Sequence, residues 1–223
     1  INVPRVVDYI VGKIYECPEN FFGENNQLDF PPILIFKDFM MNVLLKFCAF
    51  STLNGYYRQI EGLAMVSKLS PAISNIFLHM LESTIIENYK AQKTIIFYTR
   101  YVDDCLLMVR KRTKNAILEK MNSFDPFLKF TVVEMQENKL IYLDTKIIEK
   151  NDTLELEQYR KNTNDTTCIM NFKQAVAPLQ YKKSCLNGEI YRAYNCTSNR
   201  DTLEIALENL EEIFILNQYP NNS

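Results

Sequence analysis

The chain of 223 residues has no tryptophan and only one histidine, His79. A Ser/His/Asp or Cys/His hydrolase would have to be built on that one residue. His79 falls in a segment with an apolar stripe, where a place on a helix face is the plainer reading. Six cysteines (Cys17, Cys48, Cys105, Cys168, Cys185 and Cys196) are scattered, with no Cys-x-x-Cys pair among them. With so little histidine they offer no zinc site, and reduced thiols fit an intracellular location, the nucleus included. Only 5 glycines and 8 prolines exclude a flexible linker or a low-complexity tract. No apolar run approaches the length that spans a bilayer, the start does not read as a signal peptide, and there is no internal repeat. Net charge is −2, so the chain also lacks the basic excess that usually displaces phosphate counterions.

What is present argues for a folded chain. Hydrophobic residues make up 47% and aromatics 12%, and the length suffices for one large domain or two lobes. The basic residues cluster locally: Arg110-Lys111-Arg112 with Lys114, Arg160-Lys161, and Lys182-Lys183. Each cluster fits a solvated face as well as a basic groove.

The most informative segment runs from Thr94 to Arg112 and sets Asp103 and Asp104 side by side between two short apolar runs. Both runs suit strands, so the pair falls at the bend of a hairpin. Adjacent carboxylates repel each other, and a common solvated turn accounts for most such pairs. They become favourable beside a hard divalent cation such as Mg²⁺ or Mn²⁺. A pair of such ions can activate a 3′-hydroxyl and stabilise departing pyrophosphate.

Hydrophobic spacing predicts the other elements. Val3–Cys17 and Ile33–Phe50 read as helices, with a loop at 18–32 and a short strand or turn at Tyr56–Gln59. Ser70–Tyr89 reads as a helix with Ser70 as N-cap and Pro71 in the first turn. Its stripe of Ile73, Ile76, Phe77, Met80 and Leu81 is expected to pack on the back of the sheet that carries the aspartates. The opposite face carries Ser74, Asn75, Leu78 and Glu82. Asn115–Met121 is a short helix, and Phe130–Glu134, Leu140–Ile148 and Leu154–Tyr159 alternate like strands. Lys182–Thr197 and Asp201–Leu216 are helical.

Four segments, in order, resemble the polymerase of Penelope-like retroelements. Tyr101-Val102-Asp103-Asp104 looks like the palm motif of reverse transcriptases. Tyr57–Pro71, running on to Phe77 and Glu82, is similar to the segment that holds template and incoming nucleotide. Lys139–Thr145 with Tyr159–Asn164, and Arg192-Ala193-Tyr194 with Ile213–Pro220, match two further blocks. The resemblance implies an α+β fold: a polymerase palm, an antiparallel sheet backed by helices, over 1–150, and a thumb-like helical region over 151–223, with the fingers missing. It implies an RNA template, a DNA primer, deoxynucleoside triphosphates and Mg²⁺ or Mn²⁺ as partners, and no membrane. Asp103 and Asp104 would hold the metal. Tyr101, Gln59 and Gly62 would line the primer and nucleotide sites, the Lys139–Thr145 hairpin would hold the primer end, and Arg110, Lys111, Arg160 and Lys161 would meet nucleic-acid backbone.

Three departures qualify the match. The family's first metal-binding aspartate precedes a stretch like Asn2-Val3-Pro4, and this chain begins at Ile1; Asp8 is placed in the following helix and is no substitute. Val66 and Lys68 stand where the family carries Gly and Pro. Asn162 and Gln218 stand where it carries Pro and Gly. The leading expectation is therefore a reverse-transcriptase fragment that is inactive as isolated. The alternatives are a catalytically dead remnant that binds nucleic acid, and an interaction domain.

Overall fold

Asn2 opens the first helix by accepting a hydrogen bond from the Arg5 backbone N–H at 3.3 Å. Pro4 sits in the first turn, where its missing N–H costs nothing. In the computed structural model, which describes residues 1–18, 31–46, 49–59, 62–63, 68–161 and 169–220, this helix is α1 (Val3–Glu16). The chain forms two compact units, Ile1–Val132 and Val133–Ser223. A division at residue 150 falls at the turn between two paired strands of the second unit. The architecture is α+β, and its described strands form small antiparallel sheets.

In the first unit α1 buries Val3, Val6, Val7 and Val11. The second helix, α2 (Ile33–Lys46), stops short of Phe50, because Ala49–Thr52 instead forms strand β1 against β2 (Gly55–Arg58). The loop expected at 18–32 lies mostly outside the described residues. Helix α3 (Ser70–Leu81) passes into a π-helical turn, Glu82–Ile86, and then α4 (Glu87–Ala91), where one unbroken helix was expected. Ser83 and Thr84 donate their hydroxyls to the carbonyls of His79 and Met80, a local competition that widens helical turns. Ser70 is the first helical residue and is buried; Leu69 occupies the cap position and gives no side-chain cap bond. Pro71 lies in the first turn as expected.

The α3 stripe also packs differently from expectation. Ile73 and Phe77 close on the α1 valines, with Ile76 and Met80 at the fringe. Only the C-terminal end, Leu81 with Ile85 and Ile86, reaches Ile95 of β3 (Ile95–Tyr101) and Ile117 and Met121 of α5 (Lys114–Asn122). Strand β3 pairs antiparallel with β4 (Asp104–Val109), with a bulge between Ile95 and Phe97. Phe130–Glu134 is not a strand: none of the described strands pairs with it, the Phe130 backbone bonds to the Asn122 side chain instead, and 131–134 are exposed. Alternation alone does not supply a partner for the backbone.

The second unit carries a sheet in the order β5 (Lys139–Tyr142), β6 (Thr145–Lys150), β7 (Thr153–Gln158). Leu140–Ile148 is thus two strands joined at Leu143-Asp144. Helices α6 (Leu179–Asn195) and α7 (Arg200–Leu216) follow. Their core is Ala193, Ala206, Leu210, Phe214 and Tyr219 with Ile169, all buried. Asn199 caps α7 by accepting from the Thr202 N–H at 2.9 Å, and Ser198 ties the interhelical turn to Leu156 of β7. At the other end of α7, Tyr219 N–H donates to the Phe214 carbonyl and Gln218 N–H to that of Ile215. This is a Schellman motif, completed by the Phe214 and Tyr219 rings 4.7 Å apart.

Candidate functional site

The β3–β4 hairpin closes on the pair Tyr101 and Asp104, leaving Val102 and Asp103 as its two-residue turn. Asp103 and Asp104 are both exposed, as is Tyr101. Val102 sits at φ 54°, a left-handed conformation that a β-branched residue rarely adopts. Of the two turn residues it alone has positive φ, at a place where glycine is usual in tight hairpins. Strain of this sort persists only when the surroundings impose it.

Here the surroundings are Arg100 and its partners on the preceding helix. Arg100 donates through Nη1 to the Val102 carbonyl at 2.8 Å and to Asn75 Oδ1 of α3 at 3.2 Å. Its Nε donates to Glu82 Oε1 at 2.6 Å, and Nη2 lies 3.4 Å from Glu82 Oε2. Tyr98 donates its hydroxyl to the same Glu82 Oε1 at 2.7 Å. Glu82 begins the π-helical turn, so one guanidinium ties the helix to the hairpin tip. Burial alone would push the Glu82 carboxyl up; the bonds from Arg100 and Tyr98 outweigh it and hold the group below its ordinary value. The bond to Glu82, against some burial, raises Arg100 further. Burial first, then the bond to Glu82, raises the Tyr98 phenol, and burial raises the Cys105 thiol beside it. Asn75 and Glu82 fall in the segment that resembles the template-holding block and on the polar face of the Ser70 helix, whereas Tyr98 gave no functional signal in the sequence.

The remaining expected site residues fall in separate places. Gln59 follows β2, and Gly62 lies at φ 77°, so close that a Cβ added there would meet Gln59 Nε2 at 3.2 Å. Met65, Val66 and Ser67 lie outside the described residues, and so do Asn162–Asn164. Arg110 is exposed at the end of β4, and Lys111 starts a single 3₁₀ turn. Arg160 and Lys161 belong to the second unit; Arg160 is ion-paired with Glu189, while Lys161 is exposed. The Lys139–Thr145 hairpin forms as β5 and β6.

Mg²⁺ takes about six oxygen donors in near-octahedral array. Asp103 and Asp104 supply carboxylates from one turn, and the described residues contain no group of three or more acidic, His or Cys side chains placed to hold an ion. Asp8 lies in α1 and is paired with Lys37. The donor set described here therefore falls short of a two-ion centre.

Among the described residues no helix is long and apolar enough to cross a membrane. No curated protein and no solved structure matches the chain. Residues 174–223, which take in α6, the turn and α7, match the family model described as an animal helix-turn-helix domain.

Proposed function

We propose that this chain binds nucleic acid, and that its second unit makes the contact. The observation that carries the reading is the match of 174–223 to a helix-turn-helix family model, on a segment that is a capped helix pair with its own core. Helix-turn-helix pairs commonly dock on nucleic acid, with one helix against the strands and the other supporting it. The net charge of −2 then requires contact through a local surface rather than a general field. The test is fluorescence anisotropy of labelled DNA and RNA, single-stranded and duplex, titrated with the full chain. Binding in the micromolar range at low salt, weakening as salt rises, is expected. No binding to any of these at about 50 mM salt would refute the reading.

A second reading is favoured by the β3–β4 hairpin: an RNA-directed DNA polymerase palm resembling those of Penelope-like retroelements. Its support is the exposed Asp103-Asp104 pair at a strained turn braced by Arg100 and Glu82. Primer extension by the chain as it stands is expected at background, because the donor set is incomplete. Adding an upstream strand that carries an aspartate should raise extension, and Asp103→Asn should then abolish it. Robust extension by the 223-residue chain alone would overturn the incomplete-site argument.

A further inference from the structure

In a helix-turn-helix the second helix ordinarily lies in the groove. Here that helix is α7, and its exposed side carries Asp201, Glu204, Glu208, Glu211 and Glu212. Its one basic residue, Arg200, is held by Glu204 at 2.8 Å. Such a face repels phosphate.

Helix α6 is the opposite case. Its buried side is Ala193, with Cys185 and Leu186 half-buried in the core. Its only acid, Glu189, is half-buried and paired with Arg160. The exposed side holds Tyr181, Tyr191 and Tyr194, at 63%, 71% and 68% exposure, with Lys183 and Arg192. Arg192 shares its donors with Asp144 and Glu189 at 3.5 and 3.7 Å and stays half-exposed. Gln180, Ser184, Asn187 and Asn195 are also exposed and bring amide and hydroxyl groups that bond phosphate oxygens, beside the exposed apolar Leu179 and Ile190.

Gly188 lies among them, in the middle of the helix. A Cβ added at Gly188 would meet nothing within 4 Å, so no neighbour in the chain requires the glycine. A glycine inside a helix is less stable than alanine there, and what it offers is close approach of another molecule to the backbone.

We infer that α6, and not α7, is the nucleic-acid surface, and that its occupant is a single strand whose bases stack on Tyr181, Tyr191 and Tyr194 while its backbone passes over Gly188. This rests on the nucleic-acid reading above. Unpaired bases present the open faces that tyrosine rings take up, whereas a duplex hides them. Tyr181 and Tyr191 are separated by a rise of about 15 Å along the axis, enough for a few nucleotides between them.

The experiment is anisotropy of a fluorescein-labelled, mixed-sequence single-stranded DNA with the full chain and four variants, alongside thermal melts. Gly188→Ala should melt about 2–4 °C higher than the parent and yet bind several-fold more weakly. Gly12→Ala, another mid-helix glycine with open space around it, should melt higher and bind as the parent does. The triple variant Tyr181→Ala, Tyr191→Ala, Tyr194→Ala should lose at least about tenfold in affinity. Glu208→Gln with Glu211→Gln should leave affinity within about twofold. Parental affinity in Gly188→Ala would overturn the inference even if the tyrosine variant failed to fold. Tighter binding of the matching duplex, or a large effect confined to the α7 variant, would overturn it while leaving nucleic-acid binding intact. Absence of binding by the parent would refute the underlying reading instead.

Discussion

Glu82 accepts hydrogen bonds from Arg100 and Tyr98 at once, and both donors lie on β3 while Glu82 lies where α3 gives way to its π-helical turn. The side chains of Arg100 and Glu82 are 14% and 18% exposed, so neither charge is comfortable without the other. Glu82→Gln keeps the shape and removes the charge, and should cost about 3 kcal/mol at neutral pH. Because the Glu82 carboxyl is held below its ordinary value of 4.5, its contribution is present above that pH and is lost as pH falls through the lower folded value. The Tyr98 phenol is raised above its ordinary 10.0, so its contribution is complete below that pH and lost as pH rises through the higher folded value. Urea unfolding at pH 7 and at pH 3 should therefore show the parent and Glu82→Gln far apart at the first pH and closer at the second. An equal gap at both would dispose of the linkage. Little of this was legible in the sequence. Asn75 and Glu82 could be placed on one helix face and Arg100 before the aspartates, but joining them needed the register of β3 on the helix, which periodicity does not carry.

Elements were legible where a period was sustained and illegible where a partner decided. The helices at 3–16, 70–81 and 200–216 follow from their apolar spacing. Strand β1 was hidden inside an apolar run that continues the helical pattern of α2, and Phe130–Glu134 had the alternation of a strand but no described strand beside it. Turn chemistry separates the hairpins further. The β6–β7 turn places Asn151 and Asp152 at φ 51° and 60°, residues that tolerate left-handed backbone. The β3–β4 and β5–β6 turns place Val102 and Leu143 at 54° and 55°, which neither side chain favours. Gln218 is at 64° in the Schellman position, where the family resembled carries glycine, so that departure was visible in the sequence and its strain is visible in the backbone. Gln218→Gly and Leu143→Asn should each stabilise by about 1 kcal/mol, read as a rise of about 2–4 °C in Tm. Val102→Asn should gain as much in stability. If none of the three rises, the positive φ values carry no strain worth the name.

At the scale of the molecule, each unit has a core of its own. The first is built from α1 and α3, continued by Leu81, Ile85, Ile86, Ile95, Ile117 and Met121. The second is built, among the described residues, from Ile169, Ala193, Ala206, Leu210, Phe214 and Tyr219, with Phe172 and Lys182 closing over Tyr219 and Phe172 respectively. Between the units, residues 131–135 are exposed and outside any helix or strand. A backbone with neither burial nor ladder bonds is where a protease enters first. Limited digestion with a glutamate-specific protease should therefore cut early at Glu134, leaving a C-terminal fragment that resists further cleavage. The second unit, expressed as residues 133–223, should unfold cooperatively in urea and retain the single-strand binding of the full chain, since α6 and the core that supports it lie wholly within it. A fragment that folds but does not bind would place the nucleic-acid surface in the first unit. That outcome would turn attention to Arg110 and the Asp103-Asp104 hairpin as the contact.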